Sequence, residues 1–103
     1  MKKDELFLLH SALYYVFEYL RRRGQLSEED VQVYHEFDVK PGHLHKTKLQ
    51  HKCAVFLLAY LISKAISHDL PKAEGLRQRL RRLLDDLFEE LRRRGEEVNI
   101  EPP

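Results

Sequence analysis

A single cysteine, Cys53, among 103 residues rules out an intramolecular disulfide and suits a reducing compartment. The sequence has no Gly-rich phosphate loop, and no segment alternates apolar and polar residues well enough to make a strand. The net charge is only +1, so no global field draws the chain to nucleic acid or to a membrane, and any electrostatic partner must be met by a local patch. The opening residues, M-K-K-D-E-L, lack the uninterrupted apolar core of a signal peptide. The apolar run from Cys53 to Ile62 is about half of what a bilayer span requires. A soluble cytoplasmic protein with no membrane partner is expected.

Acid is missing where base is concentrated. No Asp or Glu occurs between Val39 and His68, and within that window H-L-H-K-T-K-L-Q-H-K (His43 to Lys52) gathers His43, His45 and His51 with Lys46, Lys48 and Lys52. This cluster opens directly into the apolar run. Imidazoles can bind a metal and lysines an anion, so it points two ways.

With 43% hydrophobic and 34% charged residues, the chain fits one folded domain with a modest core. Helical periodicity is the dominant pattern. A first helix is expected from about Asp4 to Arg23, with Leu6, Leu9, Leu13, Val16, Phe17 and Leu20 on one stripe and Gly24 as its left-handed stop. Ser27, with Asp30 three residues on, caps a short helix through about Phe37. Pro41-Gly42 breaks the chain, and Thr47 with Gln50 fits a capping box that opens a central helix to about His68. The apolar residues of that helix wrap most of its circumference, as in a helix buried on several sides. After Pro71 a third long helix runs from about Lys72 to Arg94, with Leu76, Leu80, Leu83, Leu84, Leu87, Phe88 and Leu91 as its stripe and Gly95 as its stop. Four i,i+4 pairs decorate it, Arg81–Asp85, Arg82–Asp86, Glu89–Arg93 and Glu90–Arg94.

The expected fold is therefore all-α, a small bundle of three long helices plus one short one. It occupies residues 1–95 as a single domain, with 96–103 as a loosely ordered C-terminal tail. A central helix this apolar needs more cover than two amphipathic helices and a short one supply. Packing against a second copy would provide it, so a homodimer is expected.

At about 100° per residue, His10 falls roughly 20° from Phe17 and 40° from Leu6, and so faces inward. His51 aligns with Val55, Leu58 and Ile62 and leans inward at the start of the central helix, while His45 sits just before its cap. If the intervening segment runs back along the bundle, the first and central helices lie parallel and His10, His45 and His51 meet at one end. Three neutral imidazoles would make a site for zinc or another divalent transition metal, with a position left open for water. The competing reading is anion or nucleic-acid binding by Lys46, Lys48 and Lys52 near free backbone N–H groups at a helix start. His35, His43 and His68 are expected at the surface, and Tyr14, Tyr15, Tyr19 and Tyr60 in the core or an interface. No Ser or Cys has a recognisable base and orienting acid. A metal-activated water, as in a metal-dependent hydrolase, is the only catalysis these residues permit.

Two segments carry a family resemblance. K-D-E-L-F-L-L-H (Lys3 to His10) and L-H-K-T-K-L-Q-H-K-C-A-V-F-L-L-A (Leu44 to Ala59) resemble, in order, the K-D-E-L-x-x-L-H start and H-K-[ST]-K-x-x-H-K-x-A-V-F core of the small archaeal uncharacterised protein family fifty-eight of the UPF series. The resemblance covers roughly the first two thirds of the chain. It implies an archaeal source, an all-helical fold and a metal-binding label without a defined activity. The histidines within these motifs are His10, His45 and His51.

Overall fold

Helix boundaries follow local chemistry closely. The computed structural model describes residues 1–96 and 98–103, so Glu97, within the expected tail, lies outside the described residues. α1 (Lys3–Arg22) has Asp4 and Glu5 in its first turn and Arg21 and Arg22 in its last, each sign matched to the adjacent end of the helix dipole. It stops at Gly24, which takes φ +70° while the N–H of Gln25 donates back to the Leu20 carbonyl at 2.9 Å. That left-handed cap satisfies carbonyls the helix would otherwise leave open. α2 (Glu28–Phe37) is capped by the Ser27 hydroxyl, which accepts the Asp30 N–H at 3.1 Å. α3 (Lys48–Ile66) begins on a complete capping box. Thr47 Oγ1 accepts the Gln50 N–H at 3.1 Å, and Gln50 Oε1 accepts the Thr47 N–H at 2.8 Å. α4 (Ala73–Arg93) ends as α1 does, with Gly95 at φ +72°. Each boundary falls within about two residues of the sequence expectation, and among the described residues there is no strand.

Contacts at the helix ends fix the directions. His10 near the start of α1 meets His51 near the start of α3, so these two helices are parallel, as the sequence required for the histidines to meet. Lys64 near the end of α3 pairs with Asp30 at the start of α2 at 3.1 Å, and Thr47 before α3 donates to Glu96 beyond α4. α2 and α4 therefore run antiparallel to α3. α1 and α4 flank α3, while Tyr34 against Phe17 and Phe37 against Phe88 close α2 onto both. The core between them contains Phe17, Tyr34, Leu57, Leu58, Leu61, Leu84 and Phe88.

The 19 residues of α3 are long and apolar enough, by length and composition, to cross a membrane. Half of its most apolar stretch is buried inside the bundle, however, which is where a core helix places such a surface. Val98 and Ile100 of the terminal segment pack against the core, and Arg92 pairs with Glu101 at 2.9 Å. Of the ion pairs expected on α4, Glu90–Arg94 is closed at 2.9 Å, and Glu90 also holds Arg93.

The expected apolar stripes are only partly buried. On α1, Leu6, Phe17 and Leu20 are buried, but Leu9 and Val16 remain 37% and 41% exposed. On α4, Leu84, Phe88 and Leu91 are buried, whereas Leu76 and Leu83 keep 52% and 48% of their surface open. The stripes are wider than the single chain's core.

Candidate functional site

The starts of α1 and α3, the middle of α2 and the loop before α3 converge on a buried polar chain. His10 and His51 are 0% and 3% exposed, and their Nδ1 atoms lie 2.9 Å apart. His10 Nε2 is 2.9 Å from the hydroxyl of Tyr34, itself fully buried. His51 Nε2 is 2.8 Å from the carbonyl oxygen of His43. Four groups from four segments thus form one continuous line.

Proton directions along that line are dictated by its fixed end. A carbonyl only accepts, so His51 carries a proton on Nε2, and in its neutral form it presents a lone pair at Nδ1. His10 then donates from Nδ1, its Nε2 is the acceptor, and the Tyr34 hydroxyl donates to it. All four ring nitrogens are paired, and His10, with Nε2 accepting from Tyr34, is neutral. Burial, reinforced by repulsion from His51, Lys40 and His43 wherever these carry a proton, pushes His10 down to about 3 from 6.5. Burial raises the Tyr34 phenol above its ordinary range, so it stays a donor at every physiological pH.

Local structure explains why these groups meet. Asp30, Tyr34 and Phe37 recur at i, i+4 and i+7, the inward stripe of α2. The loop is pinned to α1 by Lys3 Nζ, which donates to the Leu44 carbonyl at 3.3 Å. His43 is fixed from both sides. Its N–H donates to the Lys40 carbonyl at 3.0 Å and its Nδ1 accepts the Lys40 N–H at 3.1 Å. The Lys40 ammonium lies over the Tyr34 ring at 4.2 Å and donates to His35 Nδ1 at 2.8 Å.

The structure brings together two of the three expected histidines. His45 is exposed at the loop tip, its ring 5.6 Å from that of His43. His45 thus stands in solvent instead of turning inward, and His43, expected at the surface, is half-buried and reaches His51 through its backbone carbonyl. The loop closes through the His43 backbone, and His45 falls in the turn just before the Thr47 cap, where a side chain projects outward. Among the described residues, no group of three or more His, Cys, Asp or Glu side chains converges on one point. The sequence signal for Tyr34 is its place between Asp30 and Phe37 at helical spacing, which turns it inward. The His43 carbonyl is backbone and has no sequence signature.

The lysines do not gather around the imidazoles. Lys48 and Lys52 are exposed and line a groove between α1 and α3, and Lys46 is half-buried in the loop. The capping box already takes the Gln50 N–H, one of the free donors at the start of α3. His35 and His68 are exposed, Tyr60 is buried, and Tyr15 and Tyr19 stand largely in solvent. The Cys53 thiol is fully buried and is pushed up to about 12 by that burial, which makes it inert as a nucleophile. An open cleft of about 590 Å³ reaches His51 between Asp4, Phe7 and Leu44.

Comparison with known proteins places the chain. The profile of the uncharacterised protein family UPF0058 matches residues 1–87. A UPF0058 protein of Methanothermobacter thermautotrophicus is 40% identical over 75 residues, 73% of this chain and 69% of that protein. One from Methanocaldococcus jannaschii is 36% identical over 67 residues, and the match spans just under two thirds (65%) of each chain. One from Archaeoglobus fulgidus is 32% identical over 93 residues, 86% of this chain and 99% of that protein. No solved structure matches.

Proposed function

The chain belongs to the uncharacterised protein family UPF0058, and from that premise we propose that it is a binding protein that takes a divalent transition-metal ion between His10 and His51. The observation that carries this is the pair of Nδ1 atoms at 2.9 Å, with the opposite nitrogen of each ring already held by a second partner. Metal-bound histidines characteristically have their other nitrogen anchored to a carbonyl, carboxylate or similar group, which sets the tautomer and the ring plane. His51 is already in the required tautomer. His10 reaches it by moving its proton from Nδ1 to Nε2, where the Tyr34 oxygen can accept it.

The residues fit a zinc-like ion as two of its ligands. Two nitrogens on a tetrahedral ion at about 2.0–2.1 Å stand roughly 3.3 Å apart, so the pair would widen by a few tenths of an ångström. The remaining positions would fall to water or to a further donor, and Asp4 shares the cleft that reaches His51. A bound ion would supply a cross-link between α1 and α3 at the end where the connecting loop is longest. That role is structural or regulatory. The lysines lie elsewhere, so an anion site on Lys46, Lys48 and Lys52 would rest on their side chains alone.

Zinc titration calorimetry of untagged protein tests the proposal. One ion per chain is expected, with the same uptake in His45→Ala and none in His51→Gln, circular dichroism confirming that each variant is folded. At a hundredfold excess over its dissociation constant, the ion would stabilise the fold by about 2.7 kcal/mol. No uptake by the wild-type chain, or undiminished uptake by folded His51→Gln, overturns the proposal and leaves the imidazole pair as a structural lock.

A further inference from the structure

On the side of α3 that points away from α2, Phe56 and Ala59 are half-buried, and the two flanks differ in shape. On one side α1 and α3 form a groove of about 510 Å³ lined by Leu9, Leu13, Val55, Phe56 and Ala59. The exposed Lys48 and Lys52 also line it, and among the described residues no acid does. On the other side runs α4, whose Leu76, Leu80, Leu83 and Leu87 fall within about 60° of arc. Leu80 and Leu87 are half-buried, and Leu76 and Leu83 are 52% and 48% exposed. Right-handed winding of α4, antiparallel to α3, turns this ridge toward the same outer side as Phe56 and Ala59. Asp86 and Glu90 border the ridge, lying within about 60° of Leu83, as do Arg79 and Arg94, and Glu90 is paired with Arg93 and Arg94.

We propose that this face is a two-fold interface with a second copy of the chain, in which the α4 leucine ridge of each copy seats in the lysine-lined α1/α3 groove of the other. Two features select this occupant. A small apolar ligand could fill the groove but would leave the ridge in water, whereas a second copy covers both at once. Groove and ridge lie on opposite sides of α3, so a two-fold axis parallel to α3 superposes one on the other reciprocally. Charge complements shape under that operation. The C-terminal half of α4 lies level with the start of α3, as the Thr47–Glu96 contact shows, so Asp86 of one copy approaches Lys48 and Lys52 of the other, with Glu90 beside it still held by Arg93 and Arg94. The half-buried Phe56 and Ala59 of each central helix are covered in the same contact. The proposal is independent of any metal.

Sedimentation equilibrium of the full chain, from micromolar to hundreds of micromolar, is the test. A dimer is expected, and Leu83→Glu should weaken it by roughly 30-fold or more, the loss typical of a central anchor. Leu83 is half-exposed, so the substitution leaves the fold intact, as circular dichroism would verify. Reversing Lys48 and Lys52 to Glu should also weaken association, and adding Asp86→Lys and Glu90→Lys should restore part of it. A wild-type monomer throughout the range overturns the proposal. So does a dimer indifferent to both Leu83→Glu and Leu9→Glu, because its interface would lie elsewhere.

Discussion

The imidazole chain and the outer apolar surface of α1 and α4 are opposite solutions to incomplete burial. At the first, polar atoms are shut away from water and every ring nitrogen has a partner inside the chain. At the second, Leu9, Val16, Leu76 and Leu83 stand substantially in water. The asymmetry follows from cost. A buried donor or acceptor left without a partner costs about 1–3 kcal/mol, so folding closes polar groups internally. An exposed leucine only forgoes burial worth about 25 cal/mol per Å², a gain that remains available to association. The polar site defines what the single chain must complete; the apolar face defines what a second molecule can add.

Substitutions on the two surfaces should separate sharply. His10→Ala orphans the Tyr34 hydroxyl and removes the donor facing His51, so a loss of about 3 kcal/mol or more is expected in urea denaturation. Leu83→Ala, measured at a concentration where the chain is monomeric, should change stability by no more than about 0.5 kcal/mol. Equal losses would break the comparison.

Acid should attack only the polar site. In the unfolded chain His10 takes a proton near 6.5, whereas in the fold it does so only near 3. The unfolded state therefore binds more protons between those values. The stability contributed by the neutral ring is full above about pH 6.5 and is lost as pH falls toward 3. From pH 7 to pH 5 the expected loss is about 2 kcal/mol, measured as the difference between wild type and His10→Phe, which lacks the titrating group. A wild type no more acid-sensitive than this variant would show that His10 is not held neutral.

Tyr34→Phe removes one partner while keeping the ring, and should cost about 1–2 kcal/mol in the same assay. His45→Ala sharpens the contrast from the other side. Its exposed ring belongs to neither surface, so a stability change within about 0.5 kcal/mol is expected. A larger loss would place His45 in the polar site after all.

Much of this organisation is legible in the sequence because it rests on local signals. The Thr47–Gln50 box, the Ser27 cap, Gly24 and Gly95 each act within a few residues of the boundary they set, and those boundaries are observed. The inward turn of His10 and His51 follows from helical period alone. Less legible is what depends on the loop. His43 and His45 are two residues apart in a turn with no regular period, so nothing in their spacing says which points inward. The deciding contact is a backbone carbonyl accepting from a side chain eight residues on. The width of the apolar stripes is plain, but periodicity does not reveal that α2 covers only one side of α3, leaving Leu76 and Leu83 open.

The central claim is a directed proton line that a metal ion can enter at the His10–His51 junction. Long-range ¹H–¹⁵N correlation spectra of the histidine rings report it most directly, because each tautomer has its own pattern of ring-nitrogen shifts. In metal-free protein at pH 7, His51 should be protonated at Nε2 and His10 at Nδ1. On adding zinc, His10 should switch to Nε2 while His51 keeps its tautomer and both Nδ1 signals move. A metal-free His10 already protonated at Nε2, or rings unmoved by excess zinc, would contradict the account.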